Sequence, residues 1–273
     1  MWNRLDKPWQ EAIALAWEAY KNHTIPIGAV ILDKDGNLVS KGRNQIFGIS
    51  NNSPLAGTYM AHAEMNALLN LKAMDHPNVR TYILYTTMEP CPMCFGATVM
   101  MNIRNICFGA RDGFAGATEL NNKLDYISSK KINIKYVGGE IEAFQLILQS
   151  AFEFGRNNPR TEEVLNGWRK VNNVAIELGK EFNDLGYFSK AAEDNKPIDE
   201  IFNEVINRYL EIRTCPLCGQ DNGCTHNKDC WCYGTTIPKG ILDLLPEDKK
   251  GKACICKSCV DKYKGTLDIN SNN

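Results

Sequence analysis

The 273-residue sequence predicts an α/β domain, followed by a helical segment and a small cysteine-rich module. Over the first 154 residues, short apolar runs alternate with stretches of helical period, which indicates one sheet covered by helices on both faces. Beyond residue 156 only helical periods continue. Eight of the 11 cysteines then fall between Cys215 and Cys259.

The first elements are a helix and two strands. Apolar residues at helical spacing predict a helix over Trp9–Tyr20. Ile27–Leu32 is a short apolar run that ends in the turn-forming residues 33–37, and Leu38–Gly42 resumes the strand pattern. These two runs therefore predict a hairpin. Residues 45–60 are rich in Asn, Ser, Gly and Pro and predict a loop.

The rest of the domain alternates helices and strands. The predicted helices are Met60–Met74, Cys91–Asn102 and Ile141–Phe154. The predicted strands are Arg80–Thr87, Asn105–Ala110 and Ile132–Val137. After a break at residues 156–159, two more helices are predicted, Thr161–Leu185 and Pro197–Ile212, with no strand pattern between them.

These patterns divide the chain into four parts. Residues 1–155 form the α/β domain, and residues 156–212 form a helical connector whose role the sequence does not reveal. Residues 213–265 form the cysteine-rich module. The polar residues 266–273 are predicted to be a disordered tail.

Composition and charge exclude several classes of protein. Hydrophobic residues make up 44% and charged residues 23%, as in an ordinary globular protein. The net charge of −1 lacks the basic excess of a protein that holds nucleic acid mainly through its phosphates. The first helix carries acidic residues, and no run reaches the roughly 18 apolar residues of a membrane span. We therefore predict a cytoplasmic protein without a signal peptide, whose cysteines are reduced and whose cysteine clusters bind metal.

His62-Ala63-Glu64 and Pro90-Cys91-Pro92-Met93-Cys94 predict the reactive centre. Two thiolates three residues apart at the start of a helix face the same way, and the helix N-terminus stabilises their charge. With His62 they would give zinc three ligands and leave a fourth position for water, whose pKa zinc lowers towards neutrality. Glu64 would take a proton from that water. The alternative, a structural zinc or redox pair at Cys91 and Cys94, does not account for the upstream His and Glu.

These motifs resemble the cytidine-deaminase-like superfamily, in the branch that contains bacterial tRNA adenosine deaminase and guanine deaminase. The matching segments, in the family's order, are Pro26–Val30, Gly42–Asn44, Ala61–Glu64, Glu89–Cys94 and Phe108–Asp112. The resemblance covers residues 6–154. It implies a three-layer α/β/α fold around a mixed five-stranded sheet, a homodimer, and a zinc-dependent hydrolytic deaminase with one catalytic zinc ion.

The resemblance also assigns substrate contacts by position. Asn44 would hydrogen-bond the base, and the backbone N–H of Ala63 would contact its polar edge. Ile27 and Ala29 would belong to the pocket wall. The residue types leave alternatives open, since Asn at a strand end is often a turn former and Ile27 fits a hydrophobic core. Cys107, in an apolar strand, is predicted to be a buried small hydrophobe.

The sequence favours a free nucleobase or nucleoside over tRNA as substrate. Residues 1–155 contain 14 basic and 14 acidic residues, which gives phosphates no net attraction. The last helix of this domain ends in Phe152–Phe154, where the tRNA enzymes have a basic ending. The loop before His62 is longer than theirs by Pro54–Tyr59 and could close over a small ligand. Deamination of the tRNA wobble adenosine to inosine is the alternative.

The C-terminal cysteines resemble the cysteine-rich CWC family, named after the Cys-Trp-Cys present here at 230–232. They are Cys215, Cys218, Cys224, Cys230, Cys232, Cys254, Cys256 and Cys259. Eight thiolates could fill two structural zinc sites, and His226 could replace one of them. Because a module of about 45 residues has too small a core for stability, metal would supply the missing folding free energy. Disulfides, an iron–sulfur cluster, and a nucleic-acid or protein interaction role are the alternatives.

Overall fold

The computed structural model describes residues 1–48, 53–225, 227–228, 230–251 and 253–271. They form two compact units, Met1–Asn203 and Glu204–Asn273. The domain boundary predicted at residue 155 therefore differs from the structure, because the first unit continues for almost 50 residues beyond it. The predicted connector is not a linker over most of its length but part of the first unit.

A mixed five-stranded sheet forms the centre of the first unit. Its strands are β1 (Gly28–Leu32), β2 (Leu38–Arg43), β3 (Ile83–Met88), β4 (Asn105–Ala110) and β5 (Asn133–Tyr136). The strand order is β2-β1-β3-β4-β5. The strand β1 is antiparallel to both its neighbours, whereas β3, β4 and β5 run parallel to one another. This confirms the predicted α/β fold with a mixed five-stranded sheet.

Helices cover the sheet and carry the residues of the reactive centre. The helices of the first part are α1 (Lys7–Lys21), α2 (Ala63–Leu69), α3 (Pro92–Met100), α4 (Asp125–Ser128) and α5 (Gly139–Phe154). The helix α2 lies close to β2, since a Cβ on Gly42 would lie 2.5 Å from the Ala67 nitrogen. All five residues of β1 are buried, as expected for a central strand covered on both faces.

The predicted helix over Met60–Met74 is shorter in the structure. The helix α2 ends at Leu69, and the chain turns at Asn70 so that Leu71 is buried in the core. Leu68 and Leu71 pack in the same apolar cluster as Leu84 of β3. The packing of the chain against the sheet therefore overrides the helical periodicity of the sequence.

The rest of the first unit is helical. Its remaining helices are α6 (Thr161–Asp184), α7 (Tyr187–Glu193) and the first residues of α8 (Ile198–Arg213). The helix α6 is interrupted at Asn172, whose side-chain Oδ1 accepts a hydrogen bond from Ala175 N at 3.2 Å and so caps the following turns. The sequence did not predict α7, which starts after Gly186 at a φ of 63°.

The second unit contains the remaining part of α8, α9 (Lys239–Leu242) and α10 (Lys257–Ser271). The helix α10 extends into the predicted tail of residues 266–273 as far as Ser271. None of the described helices is both long and apolar enough to cross a membrane.

Candidate active site

The reactive centre lies where two helices begin. His62 immediately precedes α2 and Cys91 immediately precedes α3, while Cys94 lies in the first turn of α3. The ligand atoms of these three residues all lie within 4.8 Å of one another, and Cys91 Sγ is 3.6 Å from His62 Nδ1. One imidazole and two thiols form a donor set that zinc accepts. The three predicted ligands are therefore side by side.

A hydrogen bond links the two thiols of this set and shifts their pKa values in opposite directions. The hydrogen bond from the Cys94 thiol lowers the pKa of Cys91 to about 4, although burial opposes this shift. The same hydrogen bond, together with burial, raises the pKa of Cys94 well above its ordinary value. Burial acts to lower the pKa of His62, but the hydrogen bond with Cys91 and the charge of Glu64 outweigh it and raise that pKa. A thiolate is the form of cysteine that binds metal.

Glu64 lies beside this set and is only 3% exposed. Burial raises the pKa of its carboxyl group. Thr86, on β3, donates a hydrogen bond from its hydroxyl to Glu64 Oε1 at 3.1 Å. Thr86 therefore fixes the orientation of this carboxylate, a role that the sequence analysis missed. The strand pattern places a threonine at this point of the sheet but does not reveal its partner.

The side chain of Asn44 has an N–H donor without a described partner and lies near the reactive centre. Its Oδ1 accepts hydrogen bonds from the hydroxyl of Thr24 at 2.7 Å and from Ile46 N at 3.0 Å. Its Nδ2 is buried and has no partner among the described residues, although Asn44 lines the cavity at the reactive centre. A buried N–H without a partner is unfavourable unless a ligand accepts from it. The turn-former alternative accounts for Oδ1 but not for Nδ2.

Comparison with known proteins identifies the family. A model of the cytidine and deoxycytidylate deaminase zinc-binding region matches residues 3–110. A tRNA-specific adenosine deaminase of Haemophilus influenzae is 30% identical over 164 residues, which are 59% of this chain and 90% of that protein. The chain belongs to the cytidine and deoxycytidylate deaminase family. A model of the cysteine-rich CWC family matches residues 215–261.

Two further similarities cover smaller parts of the proteins compared. A tRNA(Ile)-lysidine synthase of Deinococcus radiodurans is 40% identical over 108 residues, but the match spans only 39% of this chain and 17% of that protein. A solved structure of guanine deaminase from Bacillus subtilis is 30% identical and has a TM-score of 0.32. That similarity covers 40% of this chain and 66% of the guanine deaminase chain.

In this member of the deaminase family, the reactive centre opens into a cavity of about 190 Å³. Its lining includes residues from α2, β3, α5 and α6, together with Cys91, which precedes α3. Four carboxyl groups line it, those of Glu64, Glu89, Asp112 and Glu153. The basic side chains in the lining are His62 and Arg156, of which Arg156 donates a hydrogen bond to Glu153 at 2.8 Å. The cavity therefore has an acidic lining.

The helix α6 closes one side of this cavity with Val164 and Trp168. Trp168 is 3% exposed, and its indole N–H donates to Asp112 Oδ1 at 2.9 Å. A Cβ on Gly167 would lie 2.9 Å from Phe114 Cβ, so the helix touches the loop after β4. The sequence analysis gave this part of the chain no role, because a tryptophan on a helix face is also typical of a core residue.

The remaining predicted substrate contacts are Ile27, Ala29 and the backbone N–H of Ala63. Ile27 lines the cavity, whereas Ala29 is fully buried in the apolar core with Ile31 and Leu84. Both substrate contacts stay predictions. Ala63 is the first residue of α2, so its backbone N–H has no acceptor within the helix and stays a predicted contact.

The structure also gathers predicted thiol ligands in the second unit. Cys215, Cys218, Cys256 and Cys259 have Sγ atoms that all lie within 4.8 Å of one another. Every cysteine of the chain is free of a disulfide bond, including Cys107 on β4, which is half-buried. His226, considered as an alternative ligand, lies outside the described residues.

Proposed function

We propose that the chain is a zinc-dependent hydrolytic deaminase that removes the amino group of a free nucleobase or nucleoside and releases ammonia. The observation that carries this proposal is Glu64, a buried carboxyl group held by Thr86 next to the His62, Cys91 and Cys94 set. A purely structural metal site would have no use for this carboxyl group. The homodimer and the cytoplasmic location remain predictions.

His62, Cys91 and Cys94 would hold the ion, because one imidazole and two thiolates whose donor atoms lie within 4.8 Å of one another match its preferred ligands. A bound zinc ion lowers the pKa of a water molecule and so supplies hydroxide near neutral pH. Three protein ligands leave the fourth position of a tetrahedral site open, which is typical of catalytic rather than structural zinc.

Glu64 would move the protons of the reaction. The oxygen of water bonds to the ring carbon that carries the amino group, and the proton lost from water goes to the Glu64 carboxylate. Glu64 gives this proton to the ring nitrogen next to that carbon. A second proton, from the new hydroxyl group, then passes through Glu64 to the amino nitrogen, the bond between the ring carbon and that nitrogen breaks, the carbon–oxygen double bond forms, and ammonia leaves. The burial that raises the pKa of Glu64 suits a group that both accepts and gives a proton near neutral pH.

Asn44 would orient the substrate by donating a hydrogen bond from Nδ2 to an acceptor atom of the base. The hydrogen bonds that Oδ1 accepts from Thr24 and Ile46 N hold the amide in one orientation. The donor is therefore already in place before the substrate binds, so little conformational entropy is lost on binding. The N–H of Ala63 would contact the same ligand.

The cavity supports a small, unphosphorylated substrate. Its volume of about 190 Å³ is below the about 300–1,000 Å³ of pockets for drug-sized ligands. Four carboxyl groups in its lining repel a phosphate, whereas a neutral base carries no such charge. The closure of one side by Trp168 and Val164 of α6 leaves less room for a polynucleotide.

Deamination of the wobble adenosine in tRNA is the second candidate function, favoured by the similarity to the tRNA-specific adenosine deaminase of Haemophilus influenzae. It would require phosphate contacts outside the acidic cavity. A third candidate, of a different class, is a nucleic-acid or protein interaction factor that acts through the cysteine-rich module.

An ammonia-release screen tests these candidates. The panel contains cytosine, guanine, adenine, their nucleosides and a tRNA anticodon stem-loop, with Glu64→Gln as the matched control because it keeps the size of the side chain. We expect release from a free base or nucleoside, reduced about 10²–10⁴-fold in the variant, with zinc content unchanged. Release from the stem-loop alone would favour the tRNA function. Equal release by the wild-type and variant proteins throughout would refute an enzymatic role.

A further inference from the structure

Four of the eight cysteines in the second unit have the spacing of a metal site. They are the first two and the last two along the chain, here called the outer cysteines: Cys215, Cys218, Cys256 and Cys259. Cys215 Sγ lies 4.0 Å from Cys259 Sγ, and Cys218 Sγ lies 3.6 Å from Cys256 Sγ. Four sulfurs at about 2.3 Å from a tetrahedral zinc ion are about 3.8 Å from one another. A disulfide would bring two sulfurs to about 2.05 Å. The spacing therefore fits four thiolates around one ion and does not fit two disulfides.

The local backbone supports these thiols. Cys256 N donates a hydrogen bond to Cys215 Sγ at 3.2 Å, which stabilises the charge of a thiolate. Gly219 N donates to Cys215 O at 2.9 Å, and the turn requires the φ of 72° that Gly219 adopts. Cys259 lies in the first turn of α10, where the helix N-terminus also favours negative charge. One ligand pair thus comes from a tight turn and the other from a helix start.

The inner four cysteines, Cys224, Cys230, Cys232 and Cys254, approach one another in pairs and are less tightly gathered than the outer four. Cys230 Sγ lies 4.0 Å from Cys224 Sγ and 3.3 Å from Cys232 Sγ. Cys254 interacts through its side chain with Cys224 and Cys232. No outer cysteine is among these partners in the part of the chain that the structure describes. Trp231 donates its indole N–H to Asn222 O at 3.2 Å and packs in the apolar cluster of this unit.

We propose that the eight cysteines form two separate four-thiolate zinc sites with nested connectivity. The first, second, seventh and eighth cysteines hold the outer ion, and the third to sixth hold the inner ion. The inner site therefore lies wholly within the chain segment that the outer site closes, between Cys215 and Cys259. This arrangement goes beyond the proposed deaminase function and does not depend on it.

Nesting gives the two sites unequal roles. Among the described residues, one buried apolar cluster of this unit has six members, of which Cys215 and Cys256 are themselves outer ligands. A core this small needs metal to stay folded. Because the outer ligands join both ends of the segment, loss of the outer ion releases the whole segment. Loss of the inner ion leaves its ends joined.

Zinc content of the full-length protein, measured by elemental analysis and native mass spectrometry, tests the connectivity. The wild-type chain should hold three ions, one of them at the reactive centre. Cys218→Ala/Cys259→Ala removes two ligands of one site and should leave two ions. Cys218→Ala/Cys224→Ala removes one ligand from each site and should leave one ion. The proposal would be overturned if Cys218→Ala/Cys259→Ala left one ion and Cys218→Ala/Cys224→Ala left two. That result would mean that the first four cysteines form one site and the last four form the other.

Two additions cover a variant that does not fold and a different metal. Cys107→Ala, which alters a thiol outside both sites, should keep three ions. In the wild-type protein, stepwise removal of zinc by a chelator should expose thiols to alkylation in two sets of four, outer and inner. Sets that mix outer and inner cysteines would refute the nesting. Iron or sulfide in place of zinc would refute the assignment of the metal.

Discussion

Substitution of Trp168 tests whether the hydrogen bond from Trp168 to Asp112 contributes to the position of α6 at the cavity, or whether packing alone is sufficient. Trp168→Phe removes the indole N–H that donates to Asp112 Oδ1 at 2.9 Å. Asp112 Oδ1 also accepts hydrogen bonds from Phe114 N and Ala115 N, at 2.9 and 3.0 Å. The substitution therefore leaves the acceptor in place and removes one of its three donors.

The magnitude follows from burial. A hydrogen bond to a charged group contributes about 1.5–3 kcal/mol when the group is buried. For a unit of about 200 residues this lowers the melting temperature by about 3–12 °C. Trp9→Phe is the matched control, because Trp9 is 4% exposed against 3% for Trp168 and finds no acceptor for its N–H among the described residues. It reports the cost of the smaller ring alone.

Urea unfolding, followed by far-UV circular dichroism, gives the free energy of unfolding of each variant. The difference between the losses in Trp168→Phe and Trp9→Phe is the contribution of the hydrogen bond from Trp168 to Asp112. We also expect the KM for the small substrate to rise in Trp168→Phe, since Trp168 lines the cavity, while kcat changes less. Equal destabilisation by Trp168→Phe and Trp9→Phe would refute the specific bond. A KM unchanged from wild type would refute the role of α6 in the cavity.

Five further substitutions, at four positions, test Thr86, Gly179, Gly96 and Asp112. Thr86→Val removes the hydrogen bond to Glu64 and should lower kcat about 10- to 150-fold, while Thr86→Ser should retain most activity. Gly179→Ala puts a Cβ 2.8 Å from a carbonyl oxygen of α5 and should destabilise the first unit by about 1–3 kcal/mol. Gly96→Ala, with no described atom within 4 Å of its Cβ, should stabilise it by about 0.5–1 kcal/mol. Burial raises the folded-state pKa of Asp112 above 3.8, so its contribution to stability is greatest below pH 3.8 and is lost as the pH rises through the raised value. Asp112→Asn should therefore gain stability relative to wild type across that pH range, measured by urea unfolding at each pH.

The reactive centre could be predicted because its parts are local in sequence. His62 and Glu64 are two residues apart, Cys91 and Cys94 are three apart, and each pair lies at the start of one helix. Residues this close in sequence stay close in the structure even where the predicted end of a helix is wrong. The error in the predicted end of α2 therefore did not affect the prediction of the reactive centre. The alternating pattern likewise predicted the five strands, since each is a short apolar run between turn residues.

The parts that could not be predicted depend on long-range contacts. Trp168 is 56 residues from Asp112 in sequence, and nothing in either neighbourhood specifies the other. Thr86 and Glu64 are 22 residues apart and belong to different elements. Partner identity in each case is set by the tertiary fold, which periodicity does not encode.

The division of α6 at Asn172 bears on how substrate choice is separated from the catalytic chemistry. The first half of the helix supplies Val164 and Trp168 to the cavity, whereas the second half packs on α5, where Gly179 meets Ile147 and Ser150. Asn172 caps the second half through the hydrogen bond from Ala175 N, so the packing on α5 does not depend on a continuous helix. The catalytic set lies elsewhere, in α2, α3 and β3. Changes within residues 161–171 should therefore alter which base enters the cavity while Glu64 and the zinc ligands retain their chemistry.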